Sequence, residues 1–186
     1  MGPAKGRRRL ARAGKVAVVA AALLAATGVW VIGVGPVRGR SMEPALADGS
    51  WLVFEKLGVR RSGPKRFDVV VFKAPLDPAT CYIKRVIGLP NEVVEVKAGV
   101  LFVDGAETPP PPGVSWGAVD LGPVAVQAAH YWVLGDNLPE SVDSRSWGGV
   151  PKDYILGRVV AEIWPLGKVG LRGRRSAEVK EARDGD

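Results

Sequence analysis

One histidine and one cysteine set the first limit on the chemistry this chain can carry. A Ser–His–Asp triad must use His130, and His130 opens an apolar run where it reads as packed or as part of a strand edge. Around Ser41 the Gly-x-Ser-x-Gly elbow is not met, because Gly39-Arg40-Ser41-Met42-Glu43 fails at its fifth position. Cys81 and His130 form a pair by arithmetic only, because Cys81 lies in a strand-like run with no cation nearer than Lys84. The same two counts argue against a zinc cage and a disulfide framework, and no metal or organic cofactor is indicated.

A serine can instead be activated by a lysine, provided the lysine is neutral. An ordinary lysine has a pKa of about 10.4, so work near neutral pH needs a drop of about 3 units, roughly 4 kcal/mol. Burial among apolar groups, or a neighbouring cation, supplies such a drop. Lys84 is a candidate, since strand alternation places it on one face with Tyr82 and Val86, and Arg85 on the other with Ile83 and Ile87. A lysine in a strand is ordinarily solvated, and the pattern alone leaves both readings open. Ser41-Met42-Glu43-Pro44 follows a long apolar span, so it reads as an exposed nucleophile near a membrane or simply as a turn. A third polar cluster, Gly135-Asp136-Asn137 followed by Ser141-Val142-Asp143-Ser144-Arg145, reads by itself as a turn with Asx hydrogen bonds and an Asp143–Arg145 ion pair.

The elements that must position these residues follow from the rest of the 186-residue chain, which has room for one domain and a packed core. The formal charge is +7, but residues 1–15 carry six basic side chains and no acid, so the remainder is close to neutral and a basic nucleic-acid groove is not supported. Residues 16–37 carry no charge; as a helix they would reach roughly 33 Å, about the thickness of a hydrocarbon core. The expectation is a basic cytoplasmic tail (1–15), a signal-anchor helix (16–37), an extracytoplasmic domain (38–167) and a polar tail (168–186). A cleaved signal peptide is the alternative for 16–37. From residue 50 onward, short runs rich in β-branched and aromatic residues are cut by turn residues. Strands are predicted over 50–57, 67–73, 81–89, 92–96, 100–105, 124–128, 130–136 and 154–165, with a hairpin turn at Lys97-Ala98-Gly99 and a surface loop over 107–113. The fold class is all-β, and Cys81 is expected to be a small buried apolar residue.

Taken in order, these clusters resemble the type I signal peptidase family, membrane-anchored serine proteases with a Ser/Lys dyad and an all-β catalytic domain. Val37-Arg38-Gly39-Arg40-Ser41-Met42-Glu43-Pro44 resembles the nucleophile box and Arg66-Phe67-Asp68-Val69-Val70-Val71-Phe72 the strand box after it. Tyr82-Ile83-Lys84-Arg85-Val86-Ile87-Gly88-Leu89-Pro90 resembles the general-base box, and Gly135 through Gly148 the last box. The resemblance implies Ser41 as nucleophile and Lys84 as general base, with Ser141 orienting Lys84 and Asp143 and Arg145 forming an ion pair beneath the site. Met42, Pro44 and Tyr82 are the candidate substrate contacts. Gly39 stands where some relatives have a serine, which leaves a second oxyanion donor unassigned. Asn91-Glu92 replaces a Gly-Asp pair, which implies a changed turn after the third box.

The implied function is removal of signal peptides from secretory preproteins, at the outer face of a plasma membrane that the chain crosses once. The implied partners are those preproteins and the lipid bilayer, without nucleic acid. Preference for small residues before the cleaved bond is likewise an implication of the resemblance. The alternatives are a related Ser/Lys maturation peptidase with a dedicated substrate, or an inactive membrane-tethered β-domain. The second is disfavoured because Ser41, Lys84, Ser141, Asp143 and Arg145 are all present.

Overall fold

The computed structural model describes residues 31–164 and 170–171. The chain folds into two antiparallel sheets. The larger is built from β1 (Ile32–Pro36), β2 (Trp51–Glu55), β3 (Val69–Lys73), β4 (Cys81–Gly88), β9 (His130–Leu134), β10 (Val150–Pro151), β11 (Ile155–Trp164) and β12 (Gly170–Leu171). Its strands run in the order β1-β2-β11-β3-β4-β9-β10, with β12 against β11. The smaller contains β5 (Val93–Lys97), β6 (Val100–Val103), β7 (Ala106–Thr108) and β8 (Leu121–Ala125), in the order β7-β6-β5-β8. Two short helices, α1 (Leu57–Ser62) and α2 (Ser144–Trp147), bridge strands.

β3 shows why the large sheet can hold a reactive group. Its Val69, Val70, Val71 and Phe72 are all buried, because both faces of the sheet are covered here. Val70 and Phe72 pack with Val86, Tyr131, Val133 and Ile155 on one side. Val69 and Val71 pack on the other with Val37, Met42, Leu46, Leu52 and Val159. β4 lies beside β3 with Lys84 opposite Val70 and Tyr82 opposite Phe72, so Lys84 emerges on an apolar face. A third cluster, with Ile87, Val94, Leu101, Trp116 and Leu134, joins the far ends of β4 and β9 to the small sheet.

Several expectations are corrected. Ile32–Pro36, expected as the end of the anchor helix, is a strand paired along β2. Its alternating Ile32 and Val34 suit a strand, and at Gly33 any Cβ would run into the ring of Phe54 opposite. Residues 16–30 of the expected span lie outside the described residues, and among the described residues no helix is long and apolar enough to cross a membrane. Glu107 and Thr108, expected in a loop, belong to the edge strand β7. β8 begins upstream of the expected 124–128, at Leu121, and accommodates Pro123 because it is the edge of its sheet. Gly170–Leu171, expected in the polar tail, pairs with β11. The 97–99 turn forms as expected, with Ala98 and Gly99 both at positive φ, the signature of a tight hairpin.

Candidate active site

The loop between β1 and β2 carries Ser41. Its base is closed by Val37 N–H donating to Ser50 O and Gly49 N–H donating to Val37 O. Met42 and Leu46, each 1% exposed, anchor it in the core, while Ser41 just before them stays half-buried. Gly39 takes φ +85 with open space at its Cβ position, and its N–H donates to Asp48 Oδ1 at 2.8 Å. Lys84 Nζ, reaching up from β4, donates to Ser41 Oγ at 2.7 Å and to the Ile83 carbonyl at 3.1 Å.

Lys84 is only 4% exposed. Burial pulls its ammonium down from the ordinary 10.5 to about 8, against the opposing pull of the Asp143 and Asp136 carboxylates. Each of those carboxylates is matched by its own arginine. Asp143 accepts from Arg145 Nε at 2.7 Å and is itself fully buried. Asp136 accepts two bonds from Arg85, from Nε at 2.7 Å and from a second guanidinium nitrogen. The arginines thus reduce the net negative field that would otherwise keep Lys84 charged. A neutral amine beside a hydroxyl can take its proton as the oxygen attacks a carbonyl, which is the chemistry this pair can perform.

The Ser141 hydroxyl donates to Asp143 Oδ2 at 2.7 Å. The hydrogen bonds of Lys84 run to Ser41 and Ile83, while the Ser141 hydroxyl, expected to orient Lys84, is bonded to a carboxylate, the stronger acceptor. Asp143 also accepts from Gly135 N–H at 3.1 Å and caps α2 through Arg145 N–H. Gly135 must lack a side chain: a Cβ there would lie 2.6 Å from both Ser141 Cβ and the Ser41 carbonyl oxygen.

A cleft of about 290 Å³ opens over the pair, lined on one side by residues 36–42 and on the other by residues 81–84, with Glu140 and Val142 beyond. Of the expected substrate contacts, Tyr82 lines this cleft, stacked on Trp147 with ring centroids 5.4 Å apart. Met42 borders it but is buried in the core, and Pro44 is exposed away from its lining. Cys81, expected to be buried, is exposed at the cleft edge, since it is the first residue of β4 and pairs only with Lys73 at the end of β3. His130 is remote, its Nδ1 within 2.9 Å of the Ala128 carbonyl.

The Arg85–Asp136 pair is the site feature that sequence reading missed. Its signal was available: an arginine inside an apolar strand run must find a carboxylate, and Asp136 follows the neighbouring strand. The turn after β4 also differs from a merely changed loop. Asn91 takes positive φ, and Glu92 accepts from Leu89 N–H at 2.6 Å and pairs with Arg66 at 2.6 Å, tying it to the residues before β3.

Comparison with known proteins gives a consistent result. Residues 10–164 match the family model described as signal peptidase, peptidase S26. The chain is 37% identical over 164 residues to "Probable signal peptidase I-2" of Synechocystis, covering 85% of this chain and 75% of that one. It is 34% identical to "Signal peptidase I" of Bacillus caldolyticus, covering 80% and 88% respectively. It is also 34% identical to human "Mitochondrial inner membrane protease subunit 1", covering 76% and 75%.

Proposed function

Because the chain belongs to the signal peptidase family of S26 serine endopeptidases, we propose that it removes N-terminal signal peptides from secreted precursors, with Ser41 as nucleophile and Lys84 as general base. The observation that carries this reading is the 2.7 Å approach of Lys84 Nζ to Ser41 Oγ by a lysine buried among apolar residues. Neutral Lys84 takes the Ser41 proton as Oγ adds to the scissile carbonyl, then delivers it to the departing amine. The acyl group left on Ser41 is released by water, for which Lys84 again serves as base. The Ser41 N–H is the first donor to the tetrahedral oxyanion.

Two features bear on the substrate. β4 pairs with β9 only from Arg85 onward, so residues 81–84 present an edge on the cleft side, where an extended peptide can add as a strand. The catalytic domain sits at the outer membrane surface in this reading, tethered by the uncharged residues before β1. Ile32 and Val34 on β1 and Trp51 on β2 are exposed at 47%, 55% and 45%, an apolar face that directly continues that stretch and suits a lipid boundary.

The test is cleavage of a secretory precursor in detergent by the purified wild type, beside Ser41→Ala and Lys84→Ala. Cleavage at the signal site by wild type alone is expected. Equal cleavage by all three would remove both residues from the mechanism. No cleavage by wild type, where a known signal peptidase succeeds, would favour a peptidase with a dedicated substrate.

A further inference from the structure

Asn137 contacts the nucleophile loop twice. Its backbone N–H donates to the Ser41 carbonyl at 3.0 Å, and its side-chain Nδ2 donates to the Arg40 carbonyl at 3.1 Å. These two carbonyls belong to the two peptide planes that flank the Ser41 α-carbon, so together they fix the backbone on both sides of the nucleophile. The Arg40–Ser41 peptide is trans, and in a trans peptide the carbonyl and the N–H point in opposite directions. Holding Arg40 O toward Asn137 therefore turns Ser41 N–H away from it.

We propose that Asn137 is a positioning residue that orients the Ser41 N–H as oxyanion donor, an inference that rests on Ser41 being the nucleophile. The need is acute in this chain, because Gly39 brings no hydroxyl to the cleft and leaves Ser41 N–H as the assigned donor. The Arg40 carbonyl also accepts from Glu43 N–H at 3.1 Å, a turn bond at an exposed residue to which Asn137 Nδ2 adds a second hold, and a donor rotated with this plane contributes nothing to the transition state. Asn137 is itself fixed. Asp136 before it is clamped by Arg85 on β4, and its own carbonyl accepts from Glu140 N–H at 3.2 Å. One strand, β4, thereby carries Lys84 and, through Arg85, Asp136 and Asn137, also sets the donor next to Ser41.

Asn137→Asp keeps the shape but replaces the donating amide with a carboxylate facing a carbonyl. It is expected to lower kcat about 10- to 100-fold, somewhat less than outright loss of an oxyanion donor, while KM stays within about twofold. A peptide aldehyde reports the same geometry at equilibrium. Ser41 Oγ adds to its carbonyl carbon, the serine proton passes to Lys84, and the carbonyl oxygen becomes the oxyanion. Its affinity should fall by the same factor as kcat, whereas an uncleavable peptide of the same sequence should bind unchanged. Asn137→Ala, which adds no charge, should repeat the split if Asn137→Asp proves unstable. Cleavage by wild type with kcat retained in both variants, or equal losses of aldehyde and peptide binding, would overturn the inference alone. Absence of cleavage by wild type would remove the Ser41 reading and this inference with it.

Discussion

Lys84 Nζ stands 2.7 Å from Ser41 Oγ although 43 positions separate the two residues in sequence. The contact joins a loop anchored by Met42 and Leu46 to a strand buried between β3 and β9. Neither residue is unusual by itself. The reactivity proposed for them rests on a lysine that is buried and whose nearest carboxylates are already paired to arginines.

The first consequence is a pH profile. With Lys84 at about 8, proton loss creates the base, so kcat/KM should rise with pH through that value and level off above it. Lys84→Arg should be inactive across the range, since a guanidinium keeps its proton. A flat wild-type profile between about pH 6.5 and 9.5, or activity in Lys84→Arg, would take the base role from Lys84.

Replacing Lys84 should separate stability from activity. The folded-state value lies below the ordinary 10.5, so between about 8 and 10.5 the unfolded chain holds more proton and stability rises with pH across that window. Below the window the buried ammonium costs the fold about 3 kcal/mol. Lys84→Met removes that charge at similar volume and should raise Tm at pH 7 by roughly 3–8 °C while abolishing cleavage. A lowered Tm would mean that the Ser41 hydrogen bond outweighs the burial cost.

Asp143 gathers the Ser141 hydroxyl, the Gly135 N–H and the Arg145 guanidinium around one fully buried carboxylate. Asp143→Asn keeps the shape but loses the charge, and should cost about 3 kcal/mol of stability by leaving Arg145 without its counter-ion. Activity should fall as the loop around Ser141 loosens. Thermal unfolding indistinguishable from wild type would contradict the ion-pair role.

Cys81 offers a direct probe of the cleft, because it is the sole cysteine of the chain and is exposed beside Tyr82. A bulky maleimide on Cys81 should block peptide cleavage more than 10-fold by occluding the strand edge, and saturating peptide should slow the labelling. Cys81→Ser should be active and indifferent to the reagent. Full activity of the labelled enzyme would move the substrate path elsewhere.

Local pattern made a good part of this legible in sequence. Alternation of apolar and polar residues is a property of neighbours along the chain, so the runs that became β2 to β6, β9 and β11 could be marked out without tertiary information. The clusters around Ser41, Lys84, Ser141, Asp143 and Arg145 were legible as one site only through their ordered resemblance to a known family, since each alone reads as a turn or a solvated lysine. The short helices α1 and α2 were not, since 6 and 4 residues are too few to show a helical period. The strand at Ile32–Pro36 was hidden within an uncharged stretch, where hydropathy cannot separate a helix from a strand that meets Phe54 across a pair.

What tertiary structure alone decided is environment. Sequence could name Lys84 but not bury it; that required β4 to lie between β3 and β9, a strand order no local pattern encodes. It could place Arg85 and Asp136 in their runs but not join them, or turn Cys81 outward and Ser141 toward Asp143. Desolvation and ion pairing depend on which distant segments become neighbours. The residue types are therefore written along the chain, while the lysine pKa of about 8 exists only once the sheet has closed around it.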